Sequence, residues 1–242
     1  MEPYLLAIGL AALPGLGIVI GAVAAELLQV SRASLGVALH FAEGAMLAVV
    51  GVELMPRALG IDPPWIVVVA FLLGGGTFLF LEKAVEAAHR LRRRRGGDVG
   101  PWVIYMGAVV DYITDGISIG TGVTIAAELG FVLALGQVVA NAPLAFAVMA
   151  SLRKSSTRFG RGVLSAVFVG VLLASTAASY AAFRGLPEEV RLGLLAFSSG
   201  ILVLVIVEEI TPRADRQGGG RHGALSVLAG FGLFALVALY LG

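Results

Sequence analysis

Eight apolar runs follow one another along this chain, each near the ~20 residues a helix needs to cross a bilayer. They fall at 4–27, 34–56, 64–86, 101–126, 129–151, 162–183, 189–210 and 223–241. The breaks between them have simple causes. Asp62-Pro63-Pro64 cannot extend a helix, because proline lacks the N–H and crowds the preceding turn. Residues 92–98 are charged and then glycine-rich, and Gly185-Leu186-Pro187 and Gly218-Gly219-Gly220 are turn material. Charged residues make up only 14% of the chain, against roughly a quarter in soluble domains, so a water-facing surface cannot be assembled from it. The expected fold is all-α, a polytopic membrane protein of eight transmembrane helices. The opening Met1-Glu2-Pro3-Tyr4 has no positive region, so the first run is expected as a permanent helix, not a signal peptide. The absence of cysteine excludes disulfides and thiolate metal ligands.

The basic residues orient the helices. Of the 17 Lys and Arg, only Arg57, Arg184 and Arg191 fall at one set of alternate ends; Arg32, Lys83, Arg90, the Arg92–Arg95 run, Arg153, Lys154, Arg158, Arg161, Arg213, Arg216 and Arg221 fall at the other. The positive-inside rule puts the richer set in the cytoplasm and both termini outside. Moving the helix count by one destroys the asymmetry, so count and orientation support each other. The Arg92–Arg95 run reads as a topology determinant against anionic headgroups; no nucleic-acid partner is expected.

Two segments repeat. Residues 44–58 read GAMLAVVGVELMPRA and residues 200–214 read GILVLVIVEEITPRA. Gly44/Gly200, Val49/Val205, Glu53/Glu209, Pro56/Pro212, Arg57/Arg213 and Ala58/Ala214 are identical. They lie on the second and seventh helices, which run in opposite directions. The chain is therefore expected as one transmembrane domain over 1–242 in a 3+2+3 arrangement. A first three-helix unit (4–86) is followed by a cytoplasmic loop (87–100), a central pair (101–151) and an inverted second unit (162–241). Inverted repeats of this kind characterise secondary transporters. Glu53 is then near the outer face and Glu209 near the inner face.

The polar residues of the central pair carry the functional signal. Asp111 and Asp115 are four apart on the fourth helix and share a face. They lie ~15–20 Å from its cytoplasmic end, near the middle of a ~30 Å core. A carboxylate there costs about 2.5–3.5 kcal/mol. No Lys or Arg is expected at that depth, so the counter-charge has to come from a cation, a proton or water. Gln137 and Asn141 are four apart on the fifth helix, joined to the fourth by a short connection at 128–130. Two carboxylates and two amide carbonyls make an oxygen cage of the type hard divalent cations use. Ser118 continues the acidic face outward, and Thr121 flanks it. Pro143 is expected to free a backbone carbonyl near Asn141.

On these residues the chain resembles the ZIP family of divalent-metal transporters. The family plan has eight helices, outside termini, a three-two-three inverted repeat and a cytoplasmic loop between helices three and four. The stretch Asp111-Tyr112-Ile113-Thr114-Asp115-Gly116-Ile117-Ser118-Ile119-Gly120 is similar to the family's fourth-helix motif, and Gln137 to Asn141 to its fifth-helix polar pair. Glu53-Leu54-Met55-Pro56 and Glu208-Glu209-Ile210-Thr211-Pro212 look like the family's helix ends. The sequence departs from the pattern where Asp111 replaces a histidine, Asn141 replaces a glutamate, and Tyr112 and Val138 stand where a second metal site would be built. The resemblance therefore implies one central metal site of Asp111, Asp115, Gln137 and Asn141. It implies a Zn, Mn or Fe(II) cargo as substrate, no resident cofactor, no enzymatic activity, a prokaryotic cytoplasmic membrane, and a homodimer whose interface nothing identifies. An all-oxygen set leans toward ions harder than zinc.

Along the pathway the resemblance adds Glu53 at an outer vestibule and Glu208 and Glu209 at an inner one. Glu43, with His40 one turn before it, is open to two readings: lining the inner half of the path, or pairing with His40. Two further readings of the Asp pair stay open. The chain could be a degenerate relative that carries protons or senses metal without moving it. It could also be an intramembrane aspartyl enzyme, although that chemistry normally takes its two carboxylates from separate helices.

Overall fold

The computed structural model describes residues 2–28, 31–93, 100–154, 156–218 and 220–241. Among them there is no strand. We label the helical rods α1 (Glu2–Leu27), α2 (Arg32–Ala58), α3 (Trp65–Arg93), α4 (Gly100–Ile125), α5 (Ala127–Ser151), α6 (Arg158–Phe183), α7 (Glu188–Arg216) and α8 (Gly220–Leu241). Among the described residues seven are long and apolar enough to cross a membrane. The exception, α4, matches them in length but carries Asp111 and Asp115. The pattern of burial is that of a chain solvated by hydrocarbon. Leu72, Phe80 and Leu228 are 64%, 72% and 69% exposed, while Asp111 and Asn141 are 2% and 0% exposed. In water that distribution would be costly on both counts.

Helix starts follow from local chemistry. Ser31 caps α2 by accepting from the Ser34 N–H, and Thr157 caps α6 by accepting from the Gly160 N–H, both at 3.1 Å. Glu188 and Glu189 occupy the first turn of α7, where the helix dipole favours them. The α4–α5 connection lies at Ala126, whose backbone is extended, rather than at 128–130; Glu128–Gly130 already belong to α5. Gly122 and Gly130 allow this sharp reversal, since a Cβ on Gly130 would drive into Val123. Of the expected loop 87–100, α3 continues to Arg93, and residues 94–99, with Arg94 and Arg95, lie outside the described residues.

Two helices run past prolines at which the sequence suggests they stop. α2 continues through Pro56 to Ala58, and α7 through Pro212 to Arg216. Directly upstream of each proline the helix widens into a π turn, Val49–Leu54 and Val205–Ile210. There Met55 N–H reaches back to Val50 O, and Thr211 N–H to Ile206 O. Widening the turn before a proline relieves the clash of its ring with the carbonyl one turn earlier. The same interval separates 49 from 205, 54 from 210, and Gly44 from Gly200.

The interhelical contacts share that interval. A methyl group on Gly44 would collide with the Val227 carbonyl of α8, and one on Gly230 with the Phe41 carbonyl of α2. Correspondingly, Gly200 abuts the Phe71 carbonyl of α3, and Gly74 abuts the Phe197 carbonyl of α7. Close backbone approach through glycine is how membrane helices gain contact when the surrounding lipid is as apolar as their side chains. α4 and α5 pack on each other at the centre. α4 lies against α6 and α7, and α5 against α1 and α2.

Candidate cation site

α4 owes its central place to two of its faces. On one, Gly116 and Gly120 leave no room for a Cβ against Leu172, Ser175, Thr176 and Ser179 of α6. Ser179 seals this seam by donating to the Gly116 carbonyl at 3.3 Å. Tyr112 is fully buried and packs at 4.7 Å between ring centroids on Phe168, which also stacks on Tyr105 at 4.5 Å. The other face meets α5. There Gln137 donates to the Asp115 backbone carbonyl at 3.2 Å, which leaves its own carbonyl oxygen free.

Asp111, Asp115, Gln137 and Asn141 are 2%, 1%, 4% and 0% exposed. Within this group, Asp111 Oδ1, both Asp115 carboxylate oxygens, Gln137 Oε1 and both polar atoms of the Asn141 amide are buried with no hydrogen-bond partner from outside the group among the described residues, and the Asn141 amide is itself a neighbour of the Asp115 carboxylate. Buried polar atoms almost always find partners, and each one left alone costs about 1–3 kcal/mol, more if charged. Five of these atoms are oxygens, the donor type of hard cations. Among the described residues no three His, Cys, Asp or Glu side chains converge in a way that could hold a metal. The set reaches four side-chain donors only by combining two carboxylates with two amides.

Ser118 and Thr121 are both fully buried. Each donates to its own helix one turn back, to Thr114 O at 2.9 Å and Ile117 O at 2.7 Å. Their oxygens keep lone pairs, so they continue the polar stripe as acceptors.

Asp111 has neighbours that sequence reasoning did not supply. Glu209 and Arg213 of α7 are its electrostatic partners alongside Asp115. The Glu209 carboxylate rests against Gly107, one turn before Asp111; a Cβ on Gly107 would stand 2.7 Å from it. Arg213 donates to Glu209 at 2.7 Å. Arg213 therefore stands close enough to act electrostatically on Asp111, a neighbour the sequence did not point to. It is on the helix because α7 does not stop before Pro212. The equivalent pair on α2, Glu53 with Arg57, is bound at 3.2 Å, and Glu53 is 5% exposed. The spacing of four residues in both copies is the signal that would have predicted these pairs.

Glu208 is exposed. Glu43 is buried with both oxygens engaged. His40 Nδ1 bonds Oε2 at 2.9 Å and the Thr211 hydroxyl donates to Oε1 at 2.8 Å. His40 Nε2 also faces Asp215 at 3.5 Å. In this structure Glu43 is therefore a tie between α2 and α7. No protein-family model matches the chain, and comparison with curated proteins gave no match.

Proposed function

We propose that this chain moves a divalent metal cation across a membrane, holding it between Asp111, Asp115, Gln137 and Asn141. The observation that carries the reading is the group of five buried oxygens on two facing helices with no hydrogen-bond partner from outside the group, in a chain whose outer surface suits hydrocarbon. Two carboxylates at such a depth are hard to explain as scaffold. The Asp115 carboxylate has no hydrogen-bond partner from outside this group, and the two carboxylates repel each other. A cation bound between them supplies both the charge and the ligand geometry they lack.

In this reading the helices form eight spans, with α1–α3 and α6–α8 as inverted units around α4 and α5. The repeated π turns, glycine contacts and Glu–Arg pairs support that arrangement. Glu53–Arg57 then guards one side of the site and Glu209–Arg213 the other. A cation arriving at either glutamate competes with its arginine, which gives each side a two-state contact that alternates with access. The cargo is a Zn, Mn or Fe(II) type ion, and the likeness to ZIP transporters adds to the reading through the Asp115-Gly116 motif and the Gln137–Asn141 pair.

Uptake of Zn, Mn, Fe(II), Cd and Mg into proteoliposomes tests it. Saturable uptake of one of these ions is expected, lost in Asp111→Ala/Asp115→Ala. If no ion enters with the intact chain, the carrier reading fails. The line of carboxylates Asp115, Asp111 and Glu209 then favours a proton-carrying role, read as acidification of the vesicle lumen.

A further inference from the structure

We propose that the groove between α1 and α6, at the arginine-rich end of the bundle, binds one anionic phospholipid, with its phosphate on Arg158 and an acyl chain along the groove. This inference does not depend on the transport reading. The groove is a half-open cavity of about 260 Å³. Its walls are Val19, Val23 and Leu27 of α1 and Met149 of α5, with Glu26, Arg158 and Arg161 at the mouth. Val19, Val23 and Leu27 are 44%, 48% and 67% exposed, so the wall opens sideways toward hydrocarbon. The mouth is the last turn of α1 and the first turn of α6, which is the level of headgroups for helices that span.

Charge decides the headgroup. Arg158 and Arg161 meet one carboxylate at this mouth, and Arg153 adds its charge from nearby. Arg161 takes Glu26 through two bonds, at 2.5 and 2.9 Å, and its remaining nitrogen donates to the Arg153 and Ser156 carbonyls. Arg153 donates to the Ala25 carbonyl. Both are thereby committed to joining α1, α5 and α6. Arg158 is different: it lies 3.9 Å from Glu26 and its side chain is 76% exposed. Glu26 is already neutralised by Arg161, so the charge of Arg158 is available at the rim of an apolar slot. A phosphodiester without a cationic headgroup matches it. A zwitterionic lipid would bring its own ammonium against three guanidiniums. Basic pockets between spanning helices recognise anionic headgroups by this combination.

The test is native mass spectrometry of the purified, delipidated full chain, titrated in one detergent with phosphatidylglycerol and with phosphatidylcholine of the same acyl chains. One phosphatidylglycerol is expected to be retained in preference to phosphatidylcholine. Arg158→Gln should lower its affinity roughly fivefold, the worth of one arginine near a headgroup. Val23→Trp, which fills the slot, should lower it as well. Arg216→Gln, an exposed arginine at the same end, should leave the preference unchanged. Equal retention of the two lipids, an unchanged preference in Arg158→Gln, or an equal loss in Arg216→Gln would each overturn the proposal. Melting temperatures of the variants within a degree or two of the parent's keep a folding defect from imitating the loss.

Discussion

At the residue scale the account turns on Asp111 and Asp115, which are expensive where they stand. A buried carboxylate at mid-depth costs about 2.5–3.5 kcal/mol, and a neutral amide of the same shape avoids most of that. Asp111→Asn/Asp115→Asn should therefore melt higher than the parent chain when both are metal-free, by roughly 1–3 kcal/mol per carboxylate. Adding the transported ion should reverse the order. Ligand at a hundred times its Kd stabilises the parent by about 2.7 kcal/mol and the variant hardly at all. Melts in chelator and in metal check both halves. A variant that melts lower without metal would mean the aspartates serve the fold. The polar residues that do serve the fold look different: Glu43 has both oxygens bonded, and Glu26 has both oxygens on the Arg161 guanidinium.

At the element scale, α4 is held by glycines where it meets α6 and by side chains where it meets α5. A Cβ on Gly120 would stand 2.6 Å from the Thr176 carbonyl and closer still to Ser179 Oγ. Gly120→Val should cost about 1–3 kcal/mol as the backbones are forced apart. Gly170, also on α6, has nothing within 4 Å of its Cβ position, and Gly170→Ala should stabilise by about 0.5–1 kcal/mol. Denaturant unfolding in detergent separates the two. This is also the scale at which the sequence was most and least legible. Apolar runs located the helix ends to within about four residues except where α3 continues to Arg93 and α7 to Arg216, because hydropathy records what must face lipid. It could not show that α2 and α7 pass through Pro56 and Pro212, because the remedy is a π turn in the backbone before each proline, with no residue type of its own. Glu208 and Glu209 are adjacent and chemically alike, and only the helix phase set by that π turn separates the exposed one from the one facing Gly107. The contact of Asp115 with Gln137 and Asn141 was legible because the polar residues are four apart and the two helices are consecutive.

For the whole molecule, the basic residues and the repeated contacts predict one orientation. The chain has no cysteine, so single cysteines report their side without background. Arg184→Cys and Glu188→Cys should react with an impermeant thiol reagent added outside intact cells. Arg158→Cys and Arg216→Cys should react only after the cells are opened. The mirrored result would invert the topology, and the same result at all four positions would undo the span count. Inversion also predicts paired mutational costs, since Gly44 meets Val227 as Gly200 meets Phe71. Gly44→Leu and Gly200→Leu should destabilise by comparable amounts. The proposed site is narrower than any of this: one divalent cation among Asp111, Asp115, Gln137 and Asn141. An anomalous difference map from crystals of the full chain grown with Mn(II) tests it most directly. The account predicts a single strong peak between α4 and α5, within about 2.6 Å of oxygens from Asp111, Asp115, Gln137 and Asn141. A map with no peak there, or with its peak among other residues, would contradict it.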